Sequence, residues 1–248
     1  MAILVTRPQP DDETTASALR AKGFEVLQAP MLRFEPVAFQ DDAEARYGAV
    51  VITSANALRG IASHLKDSTL LKLPLFAVGE HTASAARNAG FENVIPANSD
   101  AGSLRDLIAA SVKTKGLRKG STLLYLAGAD LARDLAGELG QRGFSVVTHT
   151  TYRMAAVASL PRDVCDAFAA NQVEAVLHYS RRSARAFLEA VGSAGVEITA
   201  LAIPQCCISD GVASVLRDAG ATQVMVAASP DENGLFAALD RALRPAPR

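Results

Sequence analysis

Short aliphatic runs alternate with helical stretches along the chain, and several of the helical stretches stop at a glycine. Ile3-Leu4-Val5 precedes a helical pattern from Asp11 to Ala21, and Phe24-Glu-Val-Leu follows it. Farther on, Ala49-Val-Val-Ile-Thr53 precedes a helical pattern from Ala55 to Leu65. Gly23, Gly90, Gly143 and Gly220 stand just past such patterns, where a residue without a Cβ accepts the left-handed backbone of a helix end at least cost. A parallel strand pair needs a crossover, and the crossover is usually a helix. This rhythm therefore predicts an α/β fold with parallel sheets flanked by helices.

Laid against itself, the chain repeats. Residues 3–36 resemble 123–156 at an offset of 120, with Leu19-Arg-Ala-Lys-Gly23-Phe24 beside Leu139-Gly-Gln-Arg-Gly143-Phe144. Residues 49–110 resemble 175–241: Ser54 falls opposite Ser180, Ala83–Gly90 opposite Ala213–Gly220, and Ser99 opposite Ser229. The order first, second, first, second predicts two similar α/β domains of roughly 120 residues, with a ligand cleft between them. The repeat by itself puts the cut near residue 120.

Composition excludes several kinds of partner. The 248 residues carry 25 Lys and Arg against 26 Asp and Glu, a formal charge of −1 without a basic block, so no nucleic-acid partner is expected. The absence of tryptophan argues against a surface built for stacking bases. Cys165, Cys206 and Cys207 are too few and too unevenly placed for a disulfide framework, which points to a reducing, cytoplasmic setting. No stretch approaches the roughly 18 apolar residues of a membrane span, and the opening Met1–Pro8 reaches a polar turn after four apolar residues. Neither membrane insertion nor export is expected. His64, His81, His149 and His178 lack ligand spacing, so no metal is expected. Without a P-loop, a strand-coupled GxGxxG or a GxSxG elbow, nucleotide cofactors and a hydrolase triad are disfavoured as well.

What does recur is a hydroxyl or a cation just beyond a strand: Thr6-Arg7, Thr53-Ser54-Ala55-Asn56 and Tyr179-Ser180-Arg181. Such turns lie at the carboxyl ends of parallel strands, where helix amides point outward, and together they predict an anion-binding site. Ser54, Ser180 and Thr82 also suit plain helix caps, and Arg181 with Arg185 suits a solvated helix face. Arg7 is read as a ligand contact, because Pro8 holds it extended at a strand end. Tyr152 follows Thr150-Thr151 on a return crossing. A phenol keeps its proton at neutral pH and can donate it, although a packing aromatic would look the same.

Five segments, in this order and spacing, resemble the uroporphyrinogen-III synthase family: Leu4-Val-Thr-Arg-Pro8, Ala49–Ala57, Ala77-Val-Gly-Glu-His-Thr-Ala83, Ala213–Gly220 and Ala228-Ser-Pro230. The resemblance covers nearly the whole chain. It implies an enzyme that closes linear hydroxymethylbilane with loss of water and, through a spiro intermediate, inverts the last pyrrole ring. It also implies a discontinuous domain of residues 1–35 and 155–248, an inserted domain of 39–150, and a two-stranded linker near 36–38 and 151–154. Tyr152 would be the catalytic proton donor. Thr6, Arg7, Ser54, Asn56, Gly79, Thr82, Gly128, Ser180 and Arg181 would bind substrate, backbone amides adding donors that a near-neutral protein otherwise lacks. The resemblance implies no cofactor and a monomer, with the substrate handed over by the preceding pathway enzyme. Three positions depart from the family pattern. Ala127-Gly128 stands where an Arg-Gly is common, leaving Arg133 nearby; Val212 replaces a hydroxyl in the repeat counterpart of Thr82; and His178-Tyr179-Ser180 replaces a Thr-Ser turn. The rival reading is a non-catalytic two-domain protein that binds or senses a small anion.

Overall fold

A computed structural model describes residues 1–39, 46–66, 68–98, 100–113, 116–118, 120–131 and 133–243. Ser99, singled out above, lies outside the described residues. The chain opens with β1 (Ala2–Val5), α1 (Asp11–Ala21), β2 (Glu25–Gln28) and β3 (Leu32–Pro36). There follow β4 (Ala49–Ile52), α2 (Ala55–Gly60), β5 (Pro74–Val78), α3 (Gly79–Asn88), β6 (Asn93–Ala97) and α4 (Ala101–Lys113). Then come β7 (Thr122–Gly128), α5 (Leu135–Gln141) and the long β8 (Ser145–Ala156). The last stretch holds α6 (Arg162–Ala169), β9 (Val173–His178), α7 (Arg181–Ser193), α8 (Glu197–Ala202), β10 (Gln205–Cys207), α9 (Asp210–Asp218), β11 (Val224–Val226) and α10 (Glu232–Ala242).

The chain divides into two compact units, Met1–Phe34 with Ala155–Arg248, and Glu35–Met154. In the first, the strand order is β11-β10-β9-β1-β2, each pair parallel. In the second it is β6-β5-β4-β7-β8-β3, parallel from β6 to β8. The expected α/β class with helix-flanked parallel sheets is what forms. Each unit joins one copy of each repeated half, so β9 and β1 in one sheet take the central places that β4 and β7 take in the other. β3 and β8, the strands in which the chain changes unit, lie side by side. Val37 donates to the Thr151 carbonyl at 2.9 Å, and Val157 to that of Met31 at 3.0 Å.

Central strands covered on both faces explain the unbroken apolar runs. All four residues of β1 and of β4 are buried. Leu4 packs with Val176, Phe168 and Phe187 on one face of its sheet, while Ile3 and Val5 pack with Leu177, Leu235 and Leu239 on the other. In the second unit, Val50 and Ile52 join Leu124 and Leu126, whereas Val51 joins Phe76, Leu123 and Tyr125. Each such side chain contributes about 1.5–3 kcal/mol through burial. Helix ends follow the expected chemistry: α1 has Asp11, Asp12 and Glu13 in its first turn and Arg20 in its last, and Gly23 beyond it sits at φ +90°. Among the described residues, no helix is long and apolar enough to cross a membrane.

Candidate functional site

In the second unit, the carboxyl ends of the central strands border a cavity of about 310 Å³. Thr53 and Ser54 reach it from the end of β4, Tyr125 and Gly128 from β7, and Tyr152 from β8. Asp100 and Ala101 at the start of α4, with Asp130 and Arg133 from the segment before α5, complete its polar rim.

The backbone sets Tyr152. The β7–β8 register shifts between Ala127 and Gly128, bringing Gly128 opposite Tyr152, and the Ala129 amide donates to the Tyr152 carbonyl at 2.8 Å. A Cβ at Gly128 would stand 2.7 Å from Cζ of Tyr152 and 2.9 Å from its hydroxyl oxygen. Position 128 therefore has to be glycine for the ring to lie where it does. One residue earlier, Thr151 is buried and donates its hydroxyl to the Ala127 carbonyl at 3.3 Å. Gly60 of α2 lies so close to the Thr151 carbonyl that any Cβ there would collide with it. Tyr152 itself is half-buried against the core of its unit.

Other hydroxyls stand around it. The Tyr125 hydroxyl and Thr53 Oγ1 are 3.3 Å apart, and burial pushes the Tyr125 phenol up from its ordinary value. Ser54 caps α2, its Oγ accepting from the Asn56 amide at 3.3 Å. Asp100 accepts from the Ser103 amide at 2.8 Å, and that bond holds its carboxyl below the usual range. Asn56, Gly79 and Thr82 belong to the same unit but are not lining residues of the cavity. Gly79 opens α3 at φ +69°, a conformation suited to glycine, and Thr82 is buried in that helix.

The equivalent edge of the first unit is built differently. Thr6 is fully buried and donates its hydroxyl to the Leu177 carbonyl at 2.8 Å, so that group faces the sheet interior. Arg7 pairs with Asp11 at 3.2 Å and Glu232 at 3.3 Å, donates to Thr15 at 3.2 Å, and lies 5.0 Å above the Tyr179 ring. Glu232 also accepts from the Thr15 hydroxyl. Burial raises the Tyr179 phenol strongly. Ser180 caps α7 in a reciprocal box with Ser183, at 3.0 and 3.2 Å, and Arg181 is exposed in the first turn.

His178 is a core residue. Gln205 donates through Nε2 to the carbonyls of Ala200 (2.7 Å) and Ile203 (3.0 Å), which turns its amide oxygen to His178 Nε2 at 2.8 Å. The imidazole proton therefore sits on Nε2, and burial pushes the group down to about 4, keeping it neutral. Cys206 and Cys207 are buried thiols pushed up to about 12 by desolvation, and packing is all they need to provide.

Of the residues the sequence points to, Ser54, Gly128 and Tyr152 line one cavity, and Thr6, Arg7, Ser180 and Arg181 stand at the carboxyl edge of the other sheet. Tyr125, Asp100 and Asp130 line the cavity as well without a signal of their own in the sequence. Tyr125 reads as one more apolar residue inside Leu123-Leu-Tyr-Leu-Ala127, in the middle of β7, and only its hydroxyl sets it apart from its neighbours.

Residues 13–237 match the family described as uroporphyrinogen-III synthase HemD (HEM4). Uroporphyrinogen-III synthetase from Helicobacter pylori shares the fold at a TM-score of 0.65 and 17% identity, with 98% of this chain and 99% of that chain covered. A mutant uroporphyrinogen III synthase from the extremely thermophilic bacterium Thermus thermophilus does so at 0.58 and 17%, with the same coverage. No curated protein sequence matches the chain. The structures carry the fold, and the family match runs from α1 into α10 across both units. The chain belongs to the uroporphyrinogen-III synthase family.

Proposed function

We propose that this chain converts linear hydroxymethylbilane to uroporphyrinogen III, and that Tyr152 donates the proton that takes the terminal hydroxyl away as water. The observation that supports Tyr152 most directly is its ring against Gly128, which holds a phenol at the wall of a cavity lined by further hydroxyls. Loss of water leaves an electrophilic azafulvene. The substituted carbon of the last ring attacks it, and the resulting spiro centre fragments and recloses with that ring inverted. Such a route asks the protein for one proton donor and for positioning, and positioning alone lowers barriers by several kcal/mol.

Substrate carboxylates would be met by Ser54 with the α2 amides, including Asn56, and by the Gly79 turn in one unit. In the other, Ser180 and Arg181 at the start of α7 would serve, with Arg7 just past β1, whereas Thr6, buried and bonded to the Leu177 carbonyl, supports that turn from the interior and is not a substrate contact as the sequence suggests. Thr82 supports the α3 turn from within the core, and Gly128 admits the tyrosine. We read the protein as a cytoplasmic monomer that takes its substrate from the preceding enzyme. The free thiols of Cys165, Cys206 and Cys207 fit that reducing setting. Neither the family nor the fold supports the rival, non-catalytic reading.

The test supplies freshly made hydroxymethylbilane to the purified protein and separates the oxidised products by isomer. A dominant type III isomer is expected, and only the spontaneous type I isomer from folded protein would refute the proposal. Tyr152→Phe should slow type III formation by about 100-fold, the scale of a lost general acid, with an unchanged unfolding midpoint. Unchanged turnover would remove Tyr152 from the chemistry.

A further inference from the structure

Among the described residues that line the cavity, the one cation is Arg133. Its Nη2 donates to Oε2 of Glu138 at 2.9 Å, and its Nε to the other carboxylate oxygen. The same carboxylate accepts from Arg105 Nη1 at 2.9 Å, and Arg105 is fastened in turn to Asp106 at 2.9 and 3.0 Å. Glu138 thus has two arginines of unequal freedom: the Arg133 side chain is 45% exposed, that of Arg105 22%. If Arg133 departs, Glu138 keeps a charged partner, so the usual penalty for stripping a carboxylate of its cation is avoided.

The guanidinium also reaches the first turn of α4, since a Cβ on Gly102 would lie 3.3 Å from Arg133 Nη1. The Ser103 amide there is already bonded to Asp100, at 2.8 Å, and is not open to a second anion. Asp100 and Asp130 line the same cavity and repel one. A carboxylate entering beside Tyr152 consequently depends on Arg133 for its counter-charge.

We propose that Arg133 is a substrate-binding residue: it rests on Glu138 in the free protein and swings to a substrate carboxylate beside Tyr152, while Arg105 holds Glu138. This rests on the reading of the cavity as the place of ring closure. Steady-state assays with hydroxymethylbilane on Arg133→Gln, Arg133→Lys and Glu138→Gln test it, alongside unfolding midpoints. Arg133→Gln should raise KM about tenfold, the scale of one charge-assisted pair, with kcat within about twofold. Arg133→Lys should recover part of the loss, and Glu138→Gln should lower KM because Arg133 is released. A purely structural ion pair would move both partners' variants the same way, so a rise in KM for both, or an unchanged KM in Arg133→Gln, overturns the inference. If wild-type protein forms no type III isomer, it is the underlying functional reading that fails, and the inference with it.

Discussion

The two sheets share a strand order but finish their carboxyl edges in opposite ways. In the first unit Arg7-Pro8 follows β1, and the guanidinium fills the edge by tying together Asp11, Thr15, Glu232 and the face of Tyr179. The repeat places Ala127-Gly128 at the corresponding end of β7. There the missing side chain admits Tyr152, and an open cavity remains. The same order of strands thus supports a cross-linked edge in one unit and an open cavity in the other.

Features common to both copies sharpen the contrast. Asp100 accepts from the amide three residues on, Ser103, at 2.8 Å, and Asp231 does the same with Gly234, also at 2.8 Å. Both carboxyls are held below their usual range chiefly by that bond. The caps are shared helix physics, whereas the Arg7 network and the Tyr152 pocket each belong to one copy.

The largest effect should come from giving the second unit's edge back a side chain. Gly128→Ala puts a methyl into the Tyr152 ring, and type III formation should fall by about 100-fold, matching Tyr152→Phe. A product-isomer assay with unchanged output would show that the ring's position does not matter. Next, Arg7→Ala leaves Asp11 and Glu232 without their shared cation. Denaturant unfolding should show a loss of about 1–2 kcal/mol, scaled down for partial exposure. A higher KM without that loss would instead make Arg7 chiefly a substrate contact.

The smallest effect concerns acid. A carboxyl with a depressed folded-state pKa contributes stability that is full above its unfolded value and is lost as pH falls through the folded one. Asp100→Asn and Asp231→Asn keep a capping side chain but lose the charge. Each should flatten the fall in stability on the acid side of about pH 4, near the ordinary carboxyl value, and leave stability at neutral pH slightly lower. Equal behaviour of the two variants in acid titrations is expected, and a response confined to one would break the equivalence of the two copies.

Much of the fold was legible because its signals are local. Alternating aliphatic runs and glycine stops reflect parallel strands covered on both faces, and the repeated segments reflect repeated half-units. The cut near residue 120 that the repeat suggests is not followed by the compact units. A repeat reports which segments are alike and says nothing about which copies pack together. The site was legible where a residue type and its position agree, as for Ser54 and Tyr152. Arg7 shows the converse: Asp11 is four residues away, but Glu232 is 225 residues away in sequence, so that second partner leaves no local trace. The Gly128–Tyr152 fit depends on a register shift of one residue, which no propensity records.

The double crossing also has a consequence for the order of folding. Glu35–Met154 is one continuous stretch and can complete its sheet as soon as it leaves the ribosome. β1, which lies between β2 and β9, has no β9 to pair with until more than a hundred further residues have been made. β1 thus waits, aliphatic and with one edge open, for contacts of long sequence separation, which form slowly. Refolding should accordingly show the inserted unit gaining amide protection first, with β1 and β9 becoming protected together in a later, slower phase.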